Sequence, residues 1–370
     1  MKTIYDLTFP EIKAILESWN KPSYRAIQIW QGLYQHLYNS SDQFTTLPAS
    51  LRAKLADNFT FDPLTPTSYL ASRDENTLKT LFRLSDNLTI EAVLMRYSRR
   101  PMPLAPPSTS TFTRHSSLAT RHTLCISTQS GCAMGCAFCA TGQMGFKRHL
   151  SSGEIVAQVM YYARLLKTSE FSKNSEVSAV TNIVVMGMGE PFHNYENTMA
   201  AIDRLNDPDG FNFGARRFTI STVGLVPAIR RFTAEKRQVN LAISLHAADD
   251  ELRSKLLPVN NKYHLAELFS ACRDYVETTG RRLTFEWALV NEVNDTPEQA
   301  QLLAKRLHGM LCHVNIILLN PTRGYTGRAT TSRRAKAFQE ILQQAGIPCT
   351  IRLRRGIEIS AGCGQLAGQS

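Results

Sequence analysis

Cys132, Cys136 and Cys139 fall within the stretch GCAMGCAFCATG, spaced C-x3-C-x2-C. Three thiolates in one short loop suit soft or borderline metals, either zinc or an iron–sulfur cluster. A structural zinc ion asks for four closed ligands, and so does an electron-transfer cubane. No fourth ligand is close. Cys125 lies seven residues upstream inside an apparent strand, and His149 lies beyond the loop. Three cysteines at this spacing fit a four-iron cluster with one iron left open for a substrate or cofactor.

Further polar residues sit where apolar runs stop. MGMGEP places Gly189 and Glu190 at the end of one such run. Glycine lets the backbone approach a ligand, and a carboxylate there can accept hydrogen bonds from an ammonium group. Taken alone, the stretch is equally a tight turn carrying a surface acid. Ser221 in TISTVG, Ser244, Leu245 and His246 in ISLHA, and Asn320 in LLNP occupy equivalent places. A buried Ser or His at a strand end is often satisfied structurally. Recurrence at successive strand ends favours one shared pocket.

These residues need elements to hold them. From residue 123 onward, apolar strands alternate with helical patterns. The strands are TLCIST, TNIVVMGM, RRFTIST, QVNLAISLH, RLTFEWALV and HVNIILLN, and the helices include GEIVAQVMYYARLL, HLAELFSACRDYVET, PEQAQLLAKRLHGM and RRAKAFQEILQQAG. Repeated β-then-α units imply a parallel sheet. Six units make an α/β, partial (βα)6 TIM-like barrel; a doubly wound sheet fits the same pattern. Chemistry then belongs at the C-terminal ends of the strands, where the cysteine loop lies.

The expected organisation has three parts: 1–97, 98–122 and 123–370. In the first, FPEIKAILESW, YRAIQIWQGLYQHLY and LPASLRAKLADNF read as helices, with Pro22 and Ser23 as a cap and helix start. TLKTLFRLSDNLTIEAVLMRYS alternates around SDN as a strand hairpin, with Glu91 in its second strand. Residues 98–122 are rich in Pro, Ser and Thr, carry several Arg and His, contain no acid, and read as a basic linker. The core is 123–370.

Lys plus Arg is 42 against 31 for Asp plus Glu, a formal net charge of +11. That excess favours a polyanionic partner, with nucleic acid first. The first residues carry Asp6, Glu11 and Glu17 and do not form a signal peptide. No apolar run approaches membrane-spanning length, so no membrane partner and a cytoplasmic location are expected. There, eight cysteines point to metal or redox work rather than disulfide staples.

The cysteine loop, with Phe138 before its last cysteine, resembles that of radical S-adenosylmethionine (SAM) enzymes. CISTQSGCAMGCAFCATGQMGFKRHL, VVMGMGEPFHN, ISLHAADDELRSKLLPVN and GCGQLAG together resemble the RlmN family of adenine-C2 RNA methyltransferases. KPSYRAIQIWQGLYQ is similar to that family's small helical RNA-binding domain. The resemblance spans nearly the whole chain, although the basic insert before Cys125 is longer than the family pattern.

The resemblance implies methyl transfer in two stages, because adenine C2 is electron-poor and does not attack a sulfonium. A cysteine is methylated by one SAM. A second SAM, cleaved at a [4Fe-4S] cluster on Cys132, Cys136 and Cys139, yields the radical that activates that methyl group. By the same resemblance the methylated cysteine is Cys363, the resolving cysteine is Cys125 and the base is Glu91, while Gly189, Glu190, Ser221, Ser244, Leu245, His246 and Asn320 hold SAM. None of Cys363, Cys125 or Glu91 stands out from spacing alone. Cys272, Cys312 and Cys349 match no family role and read as small core hydrophobes. The implied substrates are 23S rRNA and tRNA, at the adenosine 3′ of the anticodon, and the implied reductant is a flavodoxin-type or other one-electron donor. Arg25, Arg99, Arg100, Lys147, Arg148, Arg216, Arg217, Arg352, Arg354 and Arg355 are the expected RNA contacts. Two alternatives stand beside this reading: a C8-adenine methyltransferase of the Cfr type, against which Pro191 speaks, and a non-catalytic metal-binding RNA-binding module.

Overall fold

The computed structural model describes residues 1–97, 121–168, 179–352 and 354–368. The stretch expected as a linker lies outside these, apart from Arg121 and His122, which already belong to a strand.

Ten strands form one sheet. Three are antiparallel: β1 (Thr65–Ala71), β2 (Thr77–Arg83) and β3 (Thr89–Tyr97). Seven run parallel: β4 (Arg121–Cys125), β5 (Asn182–Val185), β6 (Phe218–Thr222), β7 (Asn240–Ser244), β8 (Leu283–Leu289), β9 (Cys312–Leu318) and β10 (Cys349–Ile351). Spatial order follows chain order, as right-handed β–α–β connections stacked side by side require. The six expected strands are all present. The seventh, β10, is three residues long and too short to signal itself by periodicity.

The sheet explains the sequence pattern. A parallel strand is covered on both faces, so it reads as an apolar run, and polar residues are left to its ends. Ile183, Val185, Ile220, Leu241, Ile243, Phe285, Trp287, Val314 and Ile316 are all buried. The expected hairpin forms as β2–β3, but it does not stand with the N-terminal helices. Strand β3 pairs antiparallel with β4, Val93 opposite Cys125, so the hairpin continues the core's sheet.

Helices cover the sheet: α4 (Ser152–Thr168), α5 (Tyr195–Asn206), α6 (Val226–Ala234), α7 (Asp250–Leu256), α8 (Leu265–Thr279), α9 (Pro297–Leu307) and α10 (Ser332–Gln344). The N-terminal unit consists of α1 (Phe9–Ser18), α2 (Arg25–Tyr34) and α3 (Ala49–Asn58). Helix α1 opens on a capping box between Thr8 and Glu11. Helix α2 begins at Arg25, later than Pro22 and Ser23 suggested. Those residues make a turn, with the Arg25 N–H donating to the Pro22 carbonyl, and no side chain caps the helix. The unit docks on the N-terminus of α4, where Asp6 Oδ1 accepts the Gly153 N–H at 2.7 Å. Negative charge is favoured at that end of a helix. A Cβ on Gly153 would stand 2.3 Å from Thr3, so only glycine permits the approach.

Candidate active site

The cysteine loop leaves the end of β4 and is braced from three sides. Gln129–Gly131 pairs with Phe146–His149 in a short ribbon. Gly131 is at φ 73°, and a Cβ there would lie 1.9 Å from the Gly145 carbonyl oxygen. From beneath, α7 presents the Leu256 carbonyl, which accepts the Ala137 N–H at 2.9 Å. From above, the C-terminal strap presents the Gly364 carbonyl, which accepts the Ala140 N–H at 2.7 Å.

Cys132, Cys136 and Cys139 line one cavity with about 1040 Å³ of empty space, open at its mouth. Three thiols on the wall of one shared cavity are the donor set of a cluster with one open iron, and one fewer than a structural zinc ion takes. Burial pushes Cys132 up to about 12 and Cys136 well above its ordinary value. Bound metal is what holds such sulfurs as thiolates.

The facing wall carries most of the strand-end residues. Gly189, Glu190, Ser221, Ser244, His246 and Asn320 all line the same cavity. Gly189 is at φ 102°, and a Cβ there would sit 2.6 Å from Gln129 Cβ. Glu190 Oε1 accepts the Phe192 N–H at 3.0 Å, and Oε2 accepts the Val223 N–H at 2.9 Å. Burial raises this carboxyl to about 7. Its partners are neutral, so it is a buried acid that gains from a cationic ligand. Ser221 and Ser244 share a hydrogen bond at 3.2 Å. His246 is at φ 61°, its ring edge-on to Phe138 at 5.0 Å. Its Nδ1 accepts the Ala288 N–H at 2.9 Å, which leaves the proton on Nε2, and burial lowers the ring to about 3, so it is neutral. Asn320 Nδ2 donates to the Cys363 carbonyl at 3.0 Å, while its buried Oδ1 has no partner. Leu245 departs from the set. It is buried in the core and serves through its backbone carbonyl, which accepts from Arg253.

Cys363 belongs to two cavities. It lines the first and also a second, of about 720 Å³, together with Cys125, Tyr97, Arg352, Arg354 and Arg355. Cys363 is exposed, and it lines both openings. Both cysteines are free thiols. Burial pushes Cys125 up to about 12 and also raises Cys363, while Arg352 lowers both. Arg355 lies over the Tyr97 ring at 4.6 Å, and Arg121 at 4.8 Å.

Glu91 is fully buried, not on a solvated face. It lies behind the strap, outside the lining of both cavities. Oε1 pairs with Lys79 Nζ at 2.7 Å, and Oε2 accepts the N–H groups of Ala367 at 2.8 Å and Gly368 at 3.2 Å. Gly362 and Gly364, on either side of Cys363, sit in a pinned strap. Thr141 Oγ1 donates to the Leu366 carbonyl at 2.6 Å, and Thr89 Oγ1 donates to that of Gly368 at 2.7 Å.

Glu286 escaped the sequence reading. It lines the first cavity beside Ser244 in register, accepts from Asn315 Nδ2 at 2.9 Å through Oε1, and leaves Oε2 buried without a hydrogen bond, 3.8 Å from Arg352. Burial raises its pKa. The available signal was a lone acid inside the apolar strand LTFEWAL.

A family model of the radical SAM superfamily matches residues 126–304, and one for the ribosomal RNA large subunit methyltransferase N-terminal domain matches residues 2–60. The chain is 44% identical over 374 residues to the probable dual-specificity RNA methyltransferase RlmN of Chloroflexus aurantiacus, covering 100% of this chain and 93% of that protein. The chain belongs to the RlmN family. It is likewise 44% identical over 363 residues to dual-specificity RNA methyltransferase RlmN 1 of Myxococcus xanthus, covering 98% and 93% of the two chains. The crystal structure of a radical SAM methyltransferase from Sphaerobacter thermophilus superposes with a TM-score of 0.89 at 46% identity, with all of both chains covered. This RlmN-family chain is therefore a radical SAM methyltransferase, not a non-catalytic module. The superfamily implies a [4Fe-4S] cluster and SAM. The residues present fit both: three thiols on one cavity wall, and on the same lining the buried acid Glu190 and Asn320 with its unpartnered Oδ1.

Proposed function

We propose that the chain methylates C2 of an adenosine in 23S rRNA and in tRNA, at the nucleotide 3′ of the anticodon, through a methylated Cys363. The observation that carries this reading is that Cys363 lines both cavities, with the three cluster-type cysteines on one side and Cys125 on the other.

Cys132, Cys136 and Cys139 hold the cluster. Glu190 receives the SAM ammonium, while Ser221, Ser244, His246 Nε2 and the unpartnered Asn320 Oδ1 supply donors and acceptors for the rest. When bound, cluster and SAM supply a methyl group and the one-electron chemistry that activates it, with two SAM molecules consumed per turnover. Cys363 accepts the methyl group on its sulfur and presents that carbon to the second cavity. There, Tyr97 and the apolar walls of Val184, Met186 and Ile317 suit a purine, and Arg352, Arg354 and Arg355 suit its phosphate. A base reaching this depth has left its stack, at a cost of a few kcal/mol.

Release falls to Cys125. Before it acts, the S-methyl carbon has lost one hydrogen atom to the one-electron chemistry and bonded C2, and the adduct has given up the C2 proton and returned one electron to that chemistry. The Cys125 thiolate then attacks Cys363 sulfur as the bond from that sulfur to this carbon breaks. The bonding pair goes to carbon, which takes up a proton and becomes the methyl group. The two thiols end as a disulfide, so a dithiol reductant must reset the site. Glu91 takes the C2 proton after its Oε2 exchanges the strap's N–H groups for substrate. A flavodoxin-type or other one-electron donor and a cytoplasmic setting complete the reading. Among the described residues no helix is long and apolar enough to cross a membrane.

The test is nucleoside mass spectrometry of unmodified ribosomal RNA and tRNA after incubation with reduced, anaerobically reconstituted protein and SAM. 2-Methyladenosine is expected. 8-Methyladenosine would assign the C8 reaction, and no methyladenosine despite SAM cleavage would overturn both.

A further inference from the structure

Arg253 lies in the family stretch ISLHAADDELRSKLLPVN and has no part in the reaction described above. It is completely buried on α7, the helix beneath the cysteine loop. Its guanidinium donates only to neutral groups. Nε reaches the Leu245 carbonyl at 3.2 Å, Nη1 reaches Asn260 Oδ1 at 2.9 Å, and Nη2 reaches the carbonyls of Val223 at 2.6 Å and Ser244 at 3.4 Å. Gly224 leaves room for it, since a Cβ there would stand 3.3 Å from Nη2. Asp250 is one step away, its Oδ1 accepting from Asn260 Nδ2 at 3.0 Å. That carboxylate is partly solvated and already serves the Leu265 N–H.

A buried cation facing only carbonyls is expensive, by several kcal/mol per ion, unless an anion stands near. Here the near candidates are the cysteine sulfurs. Helix α7 hydrogen-bonds the loop at Ala137, Leu256 and Leu257 pack with Phe138 and Cys136, and among neighbouring charges a Cys136 thiolate favours the Arg253 cation first, ahead of Asp250. Arg253 does not line the cavity, so it does not touch SAM. Its field reaches the loop through the protein interior, where screening is weak.

We infer that Arg253 is the built-in counter-charge of the iron–sulfur cluster and raises its reduction potential. This rests on the cofactor reading given above. Three thiolates outweigh the positive charge of the iron–sulfur core, so the site is anionic when oxidised and more so when reduced. The step is uptake of one electron from a low-potential one-electron donor, with no bond made or broken in the protein. A fixed cation stabilises the more anionic state further, and net charge is one of the factors that set such potentials. Arg253 is thus a positioning residue for electron entry, not a catalytic one.

The test compares reconstituted wild type with Arg253→Lys, Arg253→Met and Asp250→Asn. Each is titrated with dithionite in the presence of redox mediators, and the reduced cluster is followed by electron paramagnetic resonance. Arg253→Met is expected to weaken reduction at least tenfold, a shift of about 59 mV to more negative potential for one electron. Arg253→Lys should stay close to wild type. Asp250→Asn, which removes the partly screening acid, should move the potential the other way. Cluster-free Arg253→Met should be no less stable than cluster-free wild type, while the loaded forms differ. A loaded Arg253→Met with the wild-type potential overturns the inference. So does equal destabilisation of the loaded and empty forms. If Arg253→Met does not fold, an unchanged potential in Asp250→Asn overturns it. A wild type that takes up no iron overturns the cofactor reading as well, and is seen before any variant is compared.

Discussion

The Ala367 N–H donates to Glu91 Oε2 at 2.8 Å, across 276 residues of sequence. One carboxylate therefore ties strand β3 to the C-terminal strap that carries Cys363. Hydrogen bonds to a charged group contribute about 1.5–3 kcal/mol each. Glu91→Ala should loosen the strap, and amide exchange across residues 361–368 should accelerate at least tenfold. Unchanged exchange there would mean that Thr89, Thr141 and Asn320 suffice to hold it.

Lys79 and Glu91 form a buried ion pair at 2.7 Å, their side chains 5% and 1% exposed. Removing one partner leaves the other charge unpaired, which costs about 3–5 kcal/mol. Lys79→Met should lower stability by that order in chemical denaturation. The double variant Lys79→Met/Glu91→Gln should recover part of the loss, because no lone charge remains.

On the proposed mechanism, Cys125→Ala removes the thiol that separates Cys363 from product. RNA should accumulate covalently joined to Cys363, visible as a protein band of raised mass that ribonuclease collapses. Normal turnover by this variant would show that another group performs the release.

Glu190 supplies a pH dependence. Its carboxyl is raised from an ordinary 4.5 to about 7 in the folded protein. Between those values the folded form holds a proton that the unfolded form has lost. Its contribution to stability is complete below pH 4.5 and is lost as pH rises through 7, on the order of 3 kcal/mol. With Glu190 in its proposed role, SAM binding runs in the opposite sense, because the ammonium wants the ionised carboxylate. Affinity should fall about tenfold per pH unit below 7, and Glu190→Gln should flatten that slope in a calorimetric titration.

Gly189→Ala places a Cβ 2.6 Å from Gln129 Cβ at φ 102°. A non-glycine residue in such a conformation costs of order 1–3 kcal/mol. Gln129 also accepts the Glu190 N–H at 2.8 Å, so the clash displaces Glu190. A loss of SAM affinity of at least tenfold is expected, with folding retained. Wild-type affinity would show that the turn tolerates a side chain.

The parallel core was legible because its physics is local. Strands of a parallel sheet are mostly apolar, so the runs around Ile183, Ile220, Ile243, Phe285 and Ile316 announced themselves despite Glu286 and Asn315 within them, and the polar residues at their ends were left to find one pocket. The cysteine triad was legible for a related reason, since its three sulfurs come from one short loop. Strand β10 and the early turn of α2 were less so, because three residues carry no period and Arg25 lacks a side-chain cap.

What the sequence determined by itself was the order of elements, the ligand loop and the residue types at the strand ends. Tertiary structure decided which distant groups share a space. Cys363 and Cys125 line one cavity only because the strap folds back over β4. Glu91 reads as a surface acid on an alternating strand until the strap and Lys79 bury it. Glu286 and Arg253 are ordinary charged residues in sequence, and their meaning comes from burial without a full set of partners. Periodicity and spacing are properties of neighbours along the chain. Burial, desolvation and pairing depend on which groups approach through space, and the folding of the C-terminal strap onto the sheet sets that.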